Sequence, residues 1–208
     1  MKQPWIQTYE GIQFTMLEPR VEDINILDIA HALSQEPRFG GHAKYHYSVA
    51  QHCVNLSKFA GSEKLRRLLH DAPEAYLKDI PRPYKYAPGV KKVLRPIEAR
   101  MEVAVAARFG LELPLVDAAV KRDDDILLAT EAWHLMRPGH FDEWEPSPHL
   151  LGEGQEDPGC LRVLLADGLN QLVVQLHHPL RLQEERGAAL RAVVDNAAHA
   201  GLRLEPDR

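Results

Sequence analysis

Between Asp23 and Met136 the apolar residues return every three or four positions, and the runs are closed by proline or glycine. That rhythm constrains the fold most, because it matches one face of an α-helix and not the alternation of a strand. The first run, Ile24, Leu27, Ile29, Ala30 and Leu33, ends before Pro37. A second follows Ser48, whose hydroxyl suits a helix N-cap, with Val49, Cys53, Leu56 and Ala60 at core spacing. A third, through Leu65, Leu68 and Leu69, delivers the chain to His70 and Asp71, after which Pro73 fits the first turn of a short helix. The spacing then predicts a long helix over 90–109, stopped by Gly110, and another over 115–136. Two more helical stretches are expected over 161–177 and 182–200, beyond a Pro- and Gly-rich loop at 138–160.

Two segments depart from this rhythm. Residues 1–20 carry Trp5, Ile6, Tyr9, Ile12, Phe14 and Met16 around Gly11, and read as a short hairpin or extended lead-in packed on a helical body. The segment from Asp79 to Lys85 is expected to be a rigid, largely extended loop, because Pro81 and Pro83 fix φ and disfavour helix in the residues before them. A chain of 208 residues fits one domain with a full core. The fold class is therefore all-α, a helical bundle with a short N-terminal β-hairpin or extended lead-in.

Charge and cysteine usage exclude several functions. Against 30 acidic residues stand 25 Lys and Arg, a net charge of −5 without single-sign blocks, so no basic footprint for nucleic acid is present. The two cysteines, Cys53 and Cys160, form no CxxC pair, which argues against a disulfide framework and a thiolate zinc site. No basic-then-apolar leader opens the chain and no stretch approaches 18 uninterrupted apolar residues, so a cytoplasmic setting without a membrane partner is expected.

Chemistry is most legible at His70-Asp71-Ala72-Pro73-Glu74. Imidazole beside carboxylate suits a divalent ion such as Mn, Fe, Co or Zn, but an adjacent His-Asp pair is also common at surfaces and helix ends, so other ligands are needed. His52 lies beside the apolar face of its helix. Farther on, Asp123-Asp124-Asp125 interrupts a helical run, and three adjacent carboxylates there are costly unless one faces a cation; Asp123 and Asp125 are assigned to a solvated face. His52, His70-Asp71 and Asp124 thus sit on or at the end of different helices, the way bundles build metal sites. The turn Arg38-Phe39-Gly40-Gly41-His42 has the backbone freedom for close approach to a ligand, and His42 either contacts that ligand or packs the loop. His31 and the pair His177-His178 are assigned structural roles.

In this order the motifs resemble the HD-domain metal-dependent phosphohydrolases, whose signature is one His, a later His-Asp and a more distant Asp. Arg38-Phe39, Tyr47-Ser-Val-Ala-Gln-His52, His70-Asp-Ala-Pro-Glu-Ala-Tyr76, Asp79-Ile-Pro-Arg-Pro83 and Val120-Lys-Arg-Asp-Asp124 before Leu128-Ala-Thr-Glu-Ala132 look like the branch of bacterial 5′-deoxynucleotidases and phage-type dATP triphosphohydrolases. The resemblance covers residues 1–137, an HD phosphohydrolase core, and leaves 138–208 as a loop and helices on the same domain. It implies one divalent ion (Co, Mn, Zn, Fe or Mg) held by His52, His70, Asp71 and Asp124, with Glu74 assisting the attacking water and Asp79 the leaving oxygen. Arg38, Phe39 and Lys85 match positions on that branch's substrate side, Phe39 standing where it commonly carries Trp, and Gly41 and His42 of the same loop are substrate-side candidates by their own chemistry. The implied activity is hydrolysis of (deoxy)nucleoside phosphates by a homo-oligomer. The alternative is a non-catalytic nucleotide-binding or regulatory module of the same fold, which would have no need of Glu74 and Asp79.

Overall fold

A computed structural model describes residues 3–140 apart from Ala60 and Ser62. The expected loop at 138–160, from residue 141 on, and the expected helices at 161–177 and 182–200 lie outside the described residues. Strands β1 (Ile6–Gln7) and β2 (Gln13–Phe14) form a short antiparallel hairpin with Ile6 opposite Phe14. Phe14 is fully buried and stacks on Tyr76 at a centroid distance of 4.1 Å, while the Tyr76 hydroxyl accepts from the Asn25 backbone N–H. The lead-in therefore docks on the helical body through an aromatic pair.

The helices fall where the apolar rhythm places them. Helix α1 (Ile26–Gln35) starts at Asn25, whose side chain accepts from Leu27 N–H. In α2 (Val49–Leu56) Ser48 and Gln51 form a reciprocal capping box. Every residue of α2 is buried, including Gln51, His52 and Asn55, and the helix packs against α1, α3 (Lys64–Leu69) and α7 (Ala118–Leu135). It divides the interior in two: Val49, Ala50, Cys53 and Val54 join the larger apolar cluster with α1, α3 and the segment from Met101 to Phe109, whereas Leu56 meets Tyr47, Val120, Leu127 and Leu135. His52 sits on α2 between these faces, so the central helix carries a polar group into the core.

Helix α4 (Glu74–Leu77) is a single turn entered through Pro73. The proline segment that follows is only partly extended. Pro81 is extended, at φ −52° and ψ 134°, but α5 (Arg82–Lys85) forms a helical turn with Pro83 inside it. The prolines do not prevent this, because the first-turn N–H groups of a helix have no intrahelical partner to lose. Helix α6 (Val90–Phe109) has its buried residues, Met101, Ala104, Val105, Ala106 and Phe109, in its C-terminal half, and ends at Gly110 with φ 63°. Arg100 and Arg108 tie it to the carbonyls of Leu17 and Ile24. Helix α7 begins at Asp117, whose carboxylate accepts from the N–H groups of Ala119 and Val120. No helix of the described residues is long and apolar enough to cross a membrane.

Candidate metal centre

Four side chains from three parts of the chain meet beside α2. His52 projects from α2, His70 from the C-cap of α3, Asp71 from the turn after it, and Asp124 from α7. His52 Nε2 stands 3.3 Å from His70 Nε2, 3.2 Å from Asp124 Oδ1 and 3.8 Å from Asp71 Oδ2. His70 Nε2 is 3.0 Å from Asp71 Oδ2. One donor atom each of His52, His70 and Asp71 lies within 4.8 Å of the others, a span that can hold a metal ion, and Asp124 closes on this group from the His52 side.

The outer ring nitrogens say which atoms are available. His70 Nδ1 lies 2.8 Å from the Arg67 carbonyl, which can only accept, so Nδ1 carries the proton and Nε2 the lone pair. His52 Nδ1 lies 2.8 Å from Glu131 Oε1. His52 and Arg38 outweigh the burial that would raise the Glu131 carboxyl and hold its pKa low, so Glu131 accepts and His52 Nε2 likewise points its lone pair inward. Two lone pairs facing each other at 3.3 Å beside two carboxylates repel unless a proton or a cation lies among them. Metal ligands oriented by a carboxylate or carbonyl on the far ring nitrogen have this arrangement, so the donor set fits a divalent ion.

Electrostatics agree with that fit. Burial opposes a charge on His70, but the Asp71 carboxylate raises its pKa well above the usual imidazole value. Burial and Arg38 oppose a charge on His52, and Glu131 with Asp124 outweigh them and raise it. Burial would raise Asp71, yet His70 and His52 hold it down to about 2, and the same two imidazoles hold Asp124 lower still despite its burial. Protons thus occupy the cluster when a metal does not.

The remaining expected residues take distinct places. Glu74, on the first turn of α4, has a buried Oε2 without a hydrogen-bond partner; burial, then the charges of Asp71 and Asp79, push its pKa well up. Burial also raises Asp79, with Asp71 adding to it and Arg38 opposing. Arg38 reaches the cluster edge, Nη2 at 3.2 Å from Glu131 Oε2 and Nη1 at 3.7 Å from Asp71 Oδ2, with its side chain 11% exposed. Its guanidinium lies 5.8 Å from the Phe39 ring centroid. Phe39 adopts φ 56°, a left-handed conformation costing a side chain about 1–2 kcal/mol. The neck of this loop is pinned where Arg38 N–H donates to Tyr47 O and Val49 N–H to Glu36 O. Gly41, at φ 80°, and His42 are exposed at the end of the turn. Lys85 donates to Glu98 of α6 at 2.7 Å, so its ammonium is held there.

Asp123 differs from the solvated face expected of it. It is buried and accepts at Oδ2 from Arg67 Nε and Nη2, at 2.9 and 2.7 Å, and at Oδ1 from Arg122. Asp125 pairs with Arg82 and Lys121. The three aspartates thus point three ways: inward to α3, toward the cluster, and toward a rim of cations.

The largest omission from the sequence reading is Glu131. It is 0% exposed and accepts from Tyr47 Oη at 2.7 Å as well as from His52 and Arg38. Asn55 donates to Tyr47 Oη and is itself bonded by Lys58. Glu131 stands two helical turns after Asp124, on the same face, and that spacing was the available signal. Arg67 is one of two adjacent arginines, Arg66 and Arg67, between Leu65 and Leu68, and its place one turn before His70 was the available signal.

Fold and site together define a mostly helical protein with a buried site of two histidines and several carboxylates fit to hold a divalent cation. No family model matches the chain. The chain is 40% identical to the uncharacterized protein YfdR of Escherichia coli (strain K12) over 129 residues, 61% of this chain and 70% of YfdR. It is 36% identical to the uncharacterized protein RCAP_rcc00048 of Rhodobacter capsulatus over 177 residues, 79% of this chain and 86% of that protein. The chain belongs to the family of these two proteins.

Proposed function

We propose that this chain is an HD-domain phosphohydrolase that cleaves (deoxy)nucleoside phosphates, with one divalent ion on His52, His70, Asp71 and Asp124. The observation that carries this reading is the convergence of two inward Nε2 atoms and two carboxylates beside the buried, unpartnered Oε2 of Glu74. A bound ion supplies Lewis acidity at a phosphoryl oxygen and acidifies a water. With an ion held there, Glu74 would orient the water and accept its proton at Oε2. Burial, then the charges of Asp71 and Asp79, hold the Glu74 carboxyl well up, the kind of shift that suits an acid-base group. Asp79 donates to the leaving oxygen, and Arg38, fixed between Glu131 and Asp71, offsets charge on the phosphoryl group. Phe39 offers apolar area to the nucleoside, and the chain works as a cytoplasmic homo-oligomer in the same proposal.

The test is release of phosphate or tripolyphosphate from (deoxy)nucleoside mono- and triphosphates by protein loaded with Mn, Co, Zn or Mg. Turnover is expected with at least one pair of metal and substrate, and its absence with all of them rejects the reading. Asp71→Ala should lose both metal and turnover. Glu74→Ala should keep the metal and lose roughly 10²–10⁴-fold in rate, the usual contribution of a positioned acid-base group.

A further inference from the structure

The cations around the cluster are not equally committed. Arg38 is nearly buried and held by Glu131 and Asp71, and Lys85 is held by Glu98. Arg82 is different. Its side chain is 45% exposed and meets the cluster through Nη2 alone, at 3.3 Å from Asp124 Oδ2 and 3.2 Å from Asp125 Oδ1, the long end of hydrogen bonding. Both partners have competitors. Lys121 contacts Asp125 closely and Asp124 at 3.6 Å, and Asp124 turns its other oxygen to His52. Arg82 opens α5 between Pro81 and Pro83, so the base of its long side chain is rigid while the guanidinium is half in solvent.

Among the four proposed ligands, Asp124 is the one that Arg82 contacts, so a bound cation would compete with Arg82 for its charge. Once that carboxylate serves a cation, its attraction for Arg82 falls, while Lys121 remains to balance Asp125. The guanidinium is then free at the edge of the cluster, with a planar fork suited to two oxygens of one phosphoryl group. We propose that Arg82 is a substrate-binding residue that leaves Asp124 for the phosphoryl oxygens of the substrate when a metal is bound. This rests on the phosphohydrolase reading above and adds to it a residue that couples metal occupancy to anion binding.

Calorimetric titration of inorganic phosphate into Mn-loaded wild-type protein, Arg82→Ala and Arg82→Lys tests it, alongside titration of Mn into each metal-free protein. Wild type should bind phosphate. Arg82→Ala should bind it about tenfold or more weakly, with Arg82→Lys in between because it keeps the charge and loses the fork. Mn affinity in Arg82→Ala should hold or rise, since a competing cation has been removed. The side chain is 45% exposed, so the variants should fold as wild type does, and melting curves check this. Equal phosphate binding by wild type and Arg82→Ala overturns the proposal and leaves the phosphohydrolase reading intact; so does a change in Mn affinity alone, which marks Arg82 as merely a counter-ion of Asp124. Failure of Mn-loaded wild type to bind phosphate overturns the Arg82 proposal, while the phosphohydrolase reading stands or falls on turnover.

Discussion

At the scale of single residues, the centre depends on groups that would touch neither metal nor substrate. Glu131 orients His52, receives Tyr47 and anchors Arg38, all from a position with no access to water. Replacing it by Gln keeps the shape and removes the charge, and metal affinity should fall by roughly 10–100-fold, as for other partners of ligating histidines. Replacing it by Ala also strands a buried cation, so the melting temperature should drop as well, a loss of about 3–5 kcal/mol in chemical denaturation. A Gln variant with wild-type metal affinity would show that Glu131 does not set His52. The grouping of His52, His70, Asp71 and Asp124 was legible in the sequence because each falls on or at the end of a helix, whereas Glu74 was singled out through the resemblance to the HD-domain phosphohydrolases. Glu131, Tyr47 and Asn55 were not, since an acid or tyrosine near a helix gives no sign of its partner until α2 and α7 are packed together. Asp123 was misplaced for the same reason: among three adjacent aspartates, periodicity alone does not reveal that Arg67 waits on α3.

At the scale of elements, α3 and α7 are joined by the Arg67–Asp123 pair, with side chains only 5% and 4% exposed. The carbonyl of that same Arg67 receives His70 Nδ1, so the contact between helices and the orientation of a ligand share one residue. Asp123→Ala leaves a buried guanidinium unpaired and should cost about 3–5 kcal/mol in urea denaturation. The double variant with Arg67→Met should recover part of that loss, whereas additive losses would show that the pair is not coupled. A smaller effect is expected for Ser48→Ala, about 1 kcal/mol, through loss of the capping box that starts α2. The helices themselves were readable from apolar spacing, and so were the stop at Gly110 and the start at Ser48. The turn at Arg82–Lys85 was not, because proline looks the same in an extended loop as in the first turn of a helix.

At the scale of the whole molecule, the polar site occupies the seam between two apolar clusters, so its protonation is linked to folding. In metal-free protein, His52 and His70 have raised pKa values, and their contribution to stability is complete below the ordinary value of 6.5 and is lost as pH rises through the raised ones. Glu74, also raised, acts in the same direction. Asp71 works oppositely: its contribution is present above 3.8 and is lost as pH falls towards about 2. Chelator-treated protein should therefore melt highest between these limits and lose stability on both sides. With metal bound the loss on the alkaline side should disappear, because the ion takes the place of the imidazole protons. Identical pH profiles with and without metal would contradict this. Titration of Mn into chelator-treated wild type and Asp71→Ala, both checked for folding by circular dichroism, tests the central claim most directly. One ion per chain in wild type and none in Asp71→Ala is the predicted result; no uptake by wild type, or equal uptake by the variant, would contradict it.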